Sequence, residues 1–350
     1  MTKENGILIK NIYYMLTYAF QVLRQNQYEQ LAIEQFEHIH DLFAAILAKG
    51  ISGQLKQGLY KEYKVQEEQV TIMRGKIDIT ETIRNRMQKK QELFCHYDEL
   101  SENNLYNQIL KSTCKLLLSR DSVAKERKIQ LKRVLLFFST IQEVELNTIL
   151  WSQIRYEKSN QNYQMLLNLC HMIADGMLFT TKQGEVTLAS FLDEQRMCRL
   201  YEKFILEYYR YHHPEYYANA TQIAWNIENG QTEFLPIMQT DITLTYQDRI
   251  LIIDAKYYTH TMQQQFEKDT IHSQNLYQMF AYVKNMDRKS TGKVSGMLLY
   301  AKTQEQITPN ADFLMDGNRI SVKTLDLNQN FEQIKEQLEK IAEQYLTKPQ

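Results

Sequence analysis

Thr240-Asp241-Ile242-Thr243-Leu244-Thr245-Tyr246-Gln247-Asp248-Arg249-Ile250-Leu251-Ile252-Ile253-Asp254-Ala255-Lys256 consists of two apolar runs separated by Gln247-Asp248. A two-residue turn between two such runs is a hairpin signal, here without the glycine that strengthens it. With that turn, Thr245 opposes Ile250, Thr243 opposes Ile252 and Asp241 opposes Asp254. Strand side chains alternate, so Lys256 projects from the same face as Asp254. Two carboxylates opposed across strands repel each other unless something neutralises them. A hard divalent cation does so, and Mg²⁺ in particular is held by one or two carboxylates together with water and phosphate. A neighbouring lysine can orient the attacking water or help deprotonate it, a combination suited to phosphodiester hydrolysis.

The acid-x-Lys triplet alone says little. The chain holds three others, Glu62-Tyr63-Lys64, Glu126-Arg127-Lys128 and Asp287-Arg288-Lys289. Only Asp254-Ala255-Lys256 closes an apolar run with an acid one hairpin earlier, although a charged cluster at a strand end is often just a solvated edge. Glu202 lies among Leu200, Phe204 and Ile205 on an expected helix and is a candidate third acid, against the commoner fate of an exposed ion-pairing glutamate. Gln278 and Tyr282 are four apart and share a helix face, able to meet the lysine or a DNA phosphate, as any polar helix face would.

Around this hairpin the second half reads as a compact mixed α/β module. A helix is expected from Glu194 to Tyr211, then strands over Tyr216–Ile227, Met238–Tyr246 and Arg249–Lys256. A helix over Thr270–Val283, a strand over Val294–Tyr300 and a closing amphipathic helix through Phe331, Ile334, Leu338, Ile341 and Tyr345 complete it. The first half reads largely helical. Its helices carry Ile12, Leu16, Ala19, Phe20 and Leu23; Leu42 to Leu47; Leu105 to Leu118; and Ile129 to Phe138, with extended chain from Tyr60 to Ile79. Glu157-Lys158-Ser159-Asn160-Gln161-Asn162 contains no apolar residue and sets the expected boundary between domains 1–158 and 159–350.

Composition is that of a globular chain, 350 residues with 43% hydrophobic and 24% charged residues and a net charge of −1, which disfavours a partner held by a uniformly basic surface. Cys95, Cys114, Cys170 and Cys198 form no CxxC pair, so a zinc framework or disulfide scaffold is poorly supported. The start lacks a signal-peptide pattern, and Ile12 to Leu23 is too short and too polar for a membrane span. The expectation is a soluble cytoplasmic protein with no membrane partner.

The hairpin ending Asp254-Ala255-Lys256, with Asp241 before it and Gln278-x-x-x-Tyr282 after it, resembles the PD-(D/E)XK nuclease superfamily, with Thr240 in place of the usual proline. The whole chain resembles the McrC family. The likeness is carried by Ile9-Lys10-Asn11-Ile12-Tyr13-Tyr14-Met15-Leu16, Arg74-Gly75-Lys76-Ile77-Asp78, Tyr97-Asp98-Glu99-Leu100-Ser101, Asn275-Leu276-Tyr277-Gln278 and Gly296-Met297-Leu298-Leu299-Tyr300, in order through both halves. The resemblance implies an α/β protein, with an α+β, mostly helical N-terminal domain and a C-terminal PD-(D/E)XK nuclease-like mixed sheet flanked by helices. It implies a Mg²⁺-dependent endonuclease subunit of a GTP-dependent restriction complex acting on double-stranded DNA that carries modified cytosine. The N-terminal domain would dock on an McrB-like AAA+ GTPase hexamer and stimulate it. Asp241, Asp254 and Lys256 would be catalytic, Glu202 and Gln278 supporting, and Asp241 with Asp254 would hold the Mg²⁺. GTP would be bound by the partner. The alternative is a non-enzymatic adaptor that activates an AAA+ partner and keeps only a nuclease-like fold.

The chain's own contents agree with nucleotide hydrolysis residing elsewhere, since Gly292-Lys293 is followed by Val294 and no phosphate loop is present. The aromatic start (Tyr13, Tyr14, Tyr18, Phe20) or the segment Lys61–Asp78 is the candidate partner surface, the stripe being more often core. Arg84, Arg86, Lys89 and Lys90, and Lys125, Arg127, Lys128, Lys132 and Arg133, are basic clusters open to DNA, to an acidic partner or simply to solvent. His38 with His40, and His212 with His213, lack a third metal ligand at suitable spacing; His260 and His272 flank the hairpin and the helix after it.

Overall fold

The computed structural model describes residues 3–4, 7–20, 34, 36, 38–157, 160, 163–178, 186–230, 233–258, 263–265, 268–302 and 309–347. Leu23, His260 and most of the 157–162 boundary segment lie outside the described residues. Along the chain run α1 (Ile9–Phe20), α2 (Ile39–Gln57), β1 (Glu62–Val70), β2 (Lys76–Ile77), α3 (Ile79–Met87), β3 (Leu93–Ser101), α4 (Leu105–Leu118), α5 (Lys125–Leu135) and α6 (Tyr163–Leu178). Then come α7 (Val186–His212), β4 (Gln222–Ile223), β5 (Met238–Gln239), β6 (Ile242–Tyr246), β7 (Arg249–Lys256), α8 (Ser273–Met286), β8 (Val294–Ala301), β9 (Ala311–Met315), β10 (Asn318–Leu325) and α9 (Phe331–Leu346).

The chain forms two compact units, 43–178 and the combination of 1–42 with 179–350. This division differs from the expected one after residue 158, because the first helix packs with the C-terminal half. α1 lies against α7. Buried Asn11 donates Nδ2–H to the carbonyls of Leu327 and Gln329 at 2.7 and 2.8 Å, and the Tyr14 ring stacks on Phe331 at 4.2 Å. Tyr13 and Tyr18 are buried and Tyr14 is half-buried, so these three rings of the aromatic start belong to the packing of this unit, while the Phe20 side chain lies outside the described ones.

The larger unit is built on a five-stranded sheet in the order β9-β10-β8-β7-β6. β8 runs parallel to β7 and β10, and the two outer strands are antiparallel to their neighbours. α8 is the crossover between β7 and β8, and its Met279, Tyr282 and Val283 form one core cluster with Ile252, Leu298, Ile320 and Val322. Gly296 lets this helix approach, since a Cβ there would meet Met279 Sδ at 2.6 Å and Val283 Cγ2 at 2.7 Å. The expected strand over 216–227 reduces to Gln222–Ile223, a bridge from Asn219 to Thr243 and a 3₁₀ turn at Pro214–Tyr216. β9 and β10, joined through Asp316-Gly317, were not expected from the sequence.

In the smaller unit β1, β3 and β2 form an antiparallel sheet beside α3, which Asp78 caps by accepting the Glu81 N–H at 3.0 Å. β3 and α3 are also additions to the expected elements. Buried Asn107 donates to the Tyr60 carbonyl and accepts from Tyr163 Oη at 2.9 Å, fixing α4 to α6. Tyr63, Val65, Ile72, Met73, Ile79, Ile83 and Met87 on the sheet, its connecting loop and α3 are exposed.

Candidate functional site

The β6–β7 hairpin pairs Ile242 with Ile253, Thr243 with Ile252, Leu244 with Leu251, Thr245 with Ile250 and Tyr246 with Arg249, the register expected from the two-residue turn. Gln247 accepts the left-handed backbone the turn requires, at φ 55°. Continued by one pair, the register sets Asp241 beside Asp254. Asp241 accepts the Ala255 N–H at 2.9 Å, and its carboxyl is a hydrogen-bonding neighbour of Asp254. Asp254 is 2% exposed. Its Oδ2 lies 2.9 Å from Lys256 Nζ in an ion pair, yet it is buried without an aligned hydrogen bond. Alternation puts Asp254 and Lys256 on the face of Ile252, which α8 covers.

Glu202 joins this group from α7. Its Oε1 accepts from the Cys198 thiol at 3.1 Å, and it interacts electrostatically with Lys256 and Asp254. Burial pushes the Glu202 carboxyl above its usual range, Cys198 and Lys256 oppose the shift, and Asp254 adds to it. Burial likewise pushes Asp241 well up, reinforced by Asp254 and Glu202. Burial works against the charge on Lys256, but Asp254 and then Asp241 hold its ammonium above the normal lysine range. Three carboxylates therefore share one ammonium in a poorly solvated corner.

Gln278 is placed differently. Its Nε2–H donates to Tyr282 Oη at 2.7 Å, and Tyr282 donates in turn to the Gln239 carbonyl at 2.9 Å, two residues before Asp241. The shared face of Gln278 and Tyr282 thus steadies the strand entering the site. Sequence reasoning missed Cys198, one helical turn before Glu202. It also missed the link from Asn275 Nδ2 to the hydroxyls of Tyr258 and Tyr300, at 3.3 and 3.2 Å. Tyr258 interacts with Lys256, and Tyr300, pushed up to about 12 by burial, feels Asp254. The visible signals were the i, i+4 spacing of Cys198 with Glu202 and the alternation of Tyr258 with Lys256.

The donor set fits a hard divalent cation. Asp241 and Asp254 are adjacent, mutually repelling carboxyl groups, and Asp254 Oδ2 has no aligned hydrogen-bond donor. Among the described residues no three His, Cys, Asp or Glu side chains form a ready metal cage, so the fit is to an ion taking two carboxylates and otherwise water or phosphate. His213 is committed elsewhere, contacting Glu215 at 3.0 Å and Glu339 at 2.6 Å. No described helix is long and apolar enough to cross a membrane.

Residues 3–301 match the family model of the McrBC 5-methylcytosine restriction system component. The chain is 26% identical over 344 residues to the type IV methyl-directed restriction enzyme EcoKMcrBC of Escherichia coli (strain K12), covering 97% of this chain and 98% of that protein. Its fold is similar to a chain of the half-complex from the tetradecameric assembly of Thermococcus gammatolerans McrB AAA+ hexamers with bound McrC. That likeness has a TM-score of 0.56 at 16% identity, over 95% of this chain and 75% of that one.

Proposed function

Since the chain belongs to the McrBC 5-methylcytosine restriction system component family, we propose that it is the endonuclease subunit of such a system, hydrolysing phosphodiester bonds of DNA carrying modified cytosine. Asp241 and Asp254 side by side at the hairpin mouth, with Lys256 on Asp254, are the observation that carries this reading. This grouping supports the resemblance to the PD-(D/E)XK nucleases.

Asp241 and Asp254 would hold Mg²⁺, which when bound polarises the phosphodiester and makes a water nucleophile accessible near neutral pH. Lys256, held charged by two carboxylates, acts as a hydrogen-bond donor to the water or the phosphate oxygens rather than as a resting base. Glu202 adds a third acid with one oxygen occupied by Cys198. Gln278 acts through Tyr282 on the strand leading to Asp241.

The partner of this subunit is an McrB-like AAA+ GTPase hexamer, which supplies GTP hydrolysis. With Tyr13 and Tyr18 buried, the segment Lys61–Asp78 is the better docking surface, because it exposes Tyr63, Val65, Ile72 and Met73.

The test is reconstitution with the AAA+ partner, modified DNA, GTP and Mg²⁺. The parent chain should cleave, while Asp254→Ala and Lys256→Ala should not cleave but still stimulate the GTPase. Undiminished cleavage by either purified variant overturns the site. GTPase stimulation by the parent without cleavage, in Mg²⁺ or Mn²⁺, establishes the adaptor reading instead.

A further inference from the structure

We infer that Thr240 is a positioning residue that sets the divalent-cation affinity of the Asp241–Asp254 pair, and that proline, usual at this place in PD-(D/E)XK chains, does not replace it here. The inference rests on the metal site proposed above.

Thr240 is 2% exposed and uses both its backbone and its side chain. Its N–H donates to the Thr221 carbonyl at 3.0 Å. Its Oγ1 accepts the Thr221 N–H at 3.0 Å and lies 2.8 Å from the Thr243 hydroxyl. Next to it, Asn219 and Thr243 exchange both backbone hydrogen bonds, at 3.1 and 2.7 Å. One threonine thus joins the segment at 219–221 to the start of β6, immediately before Asp241. On the preceding side the Gln239 carbonyl is held by Tyr282. On the following side Asp241 itself is held by the Ala255 N–H.

The anchoring matters because the carboxylate of Asp241 is repelled by Asp254 and Glu202. A ligand under repulsion stays in place only if its backbone is fixed, and groups one shell out from a metal ligand commonly govern affinity. A proline ring would stiffen this point through its fixed φ. Here the same stiffness comes from hydrogen bonds that proline cannot make, since it has neither an N–H nor a hydroxyl. Proline at 240 would leave the Thr221 N–H without its acceptor and take both the Thr240 N–H and the Thr240 hydroxyl, 3.3 Å away, from the Thr221 carbonyl. Valine would keep the shape and the N–H and lose only the hydroxyl.

Mn²⁺ binding to the full chain, measured by electron paramagnetic resonance without partner or DNA, tests this. Thr240→Val and Thr240→Pro should bind Mn²⁺ about 10-fold more weakly than the parent, and Thr240→Ser within about 2-fold of it. Circular dichroism melts identify any variant that is unfolded, and the valine variant carries the comparison if the proline one is. Parent-like affinity in folded Thr240→Val, or serine as poor as valine, overturns the inference. If Asp241→Ala still loses the ion in that case, the metal site stands and only the role of Thr240 falls. A parent chain that binds no Mn²⁺ overturns both.

Discussion

Replacing Asp241 by asparagine should stabilise the metal-free chain while ending cleavage. The carboxyl of Asp241 is raised from 3.8 to about 8 by burial, by Asp254 and by Glu202. A carboxyl whose folded pKa is raised contributes stability that is fully present below its unfolded pKa and is lost as pH rises through the folded one. The relevant window runs from about pH 4 to about pH 8. At pH 7, about three units above the unfolded pKa, the part of the displacement already expressed corresponds to about 4 kcal/mol at about 1.4 kcal/mol per unit, and partial solvent access brings the expected gain to about 2 kcal/mol. Asparagine keeps an oxygen for the Ala255 N–H, so the change removes the cost of holding the carboxyl protonated without opening a cavity. A gain of that size raises the melting midpoint by about 5 °C. Thermal melts in EDTA at pH 5 and pH 7.5, repeated with Mg²⁺, read it out. The advantage of the variant should be larger at the higher pH and should shrink when Mg²⁺ neutralises the parent site. An Asp241→Asn chain no more stable than the parent at pH 7.5 in EDTA, or a gap independent of pH, would refute the electrostatic reasoning.

Asp287 should behave in the opposite sense. Burial opposes its charge, but Asn318, the Thr291 N–H and hydroxyl and the Gly292 N–H together depress it to about 2. Its stabilisation is present above about pH 4 and disappears as pH falls through about 2, so Asp287→Ala should cost about 2 kcal/mol in urea titrations at pH 7 and progressively less in acid. Gly296→Ala should destabilise by about 1–3 kcal/mol because its methyl enters space filled by Met279 and Val283. Val283→Ala in the same chain should recover part of that loss in the same titration.

The hairpin was legible because two apolar runs and a two-residue turn leave a single register, and that register alone brings Asp241 to Asp254. Helices with strong periodicity, such as Leu105–Leu118, were legible for the same reason. β9 and β10 were not. Asp316-Gly317 is a turn signal, but the edge strand before it alternates Asp312, exposed, with half-buried Phe313 and then the highly exposed Leu314, so no apolar face announces it. β3 is obscured in the same way by His96, Asp98 and Glu99. At the site, the common face of Gln278 and Tyr282 follows from spacing, whereas their target, a backbone carbonyl at residue 239, depends on how β5 crosses the helix. Cys198 and Thr240 carry no distinctive local pattern and acquire meaning only from what the fold places opposite them.

The capture of the first 42 residues by the C-terminal half determines how the protein can be dissected. A fragment starting at residue 159 would lack α1, leaving Phe331 without its stacked tyrosine and the Leu327 and Gln329 carbonyls without Asn11. A dissection that respects the units takes out 43–178 and keeps 1–42 with 179–350. During synthesis, too, the inner block is complete when residue 178 leaves the ribosome, while the N-terminal helix must wait for its cover, first from α7 and last from α9.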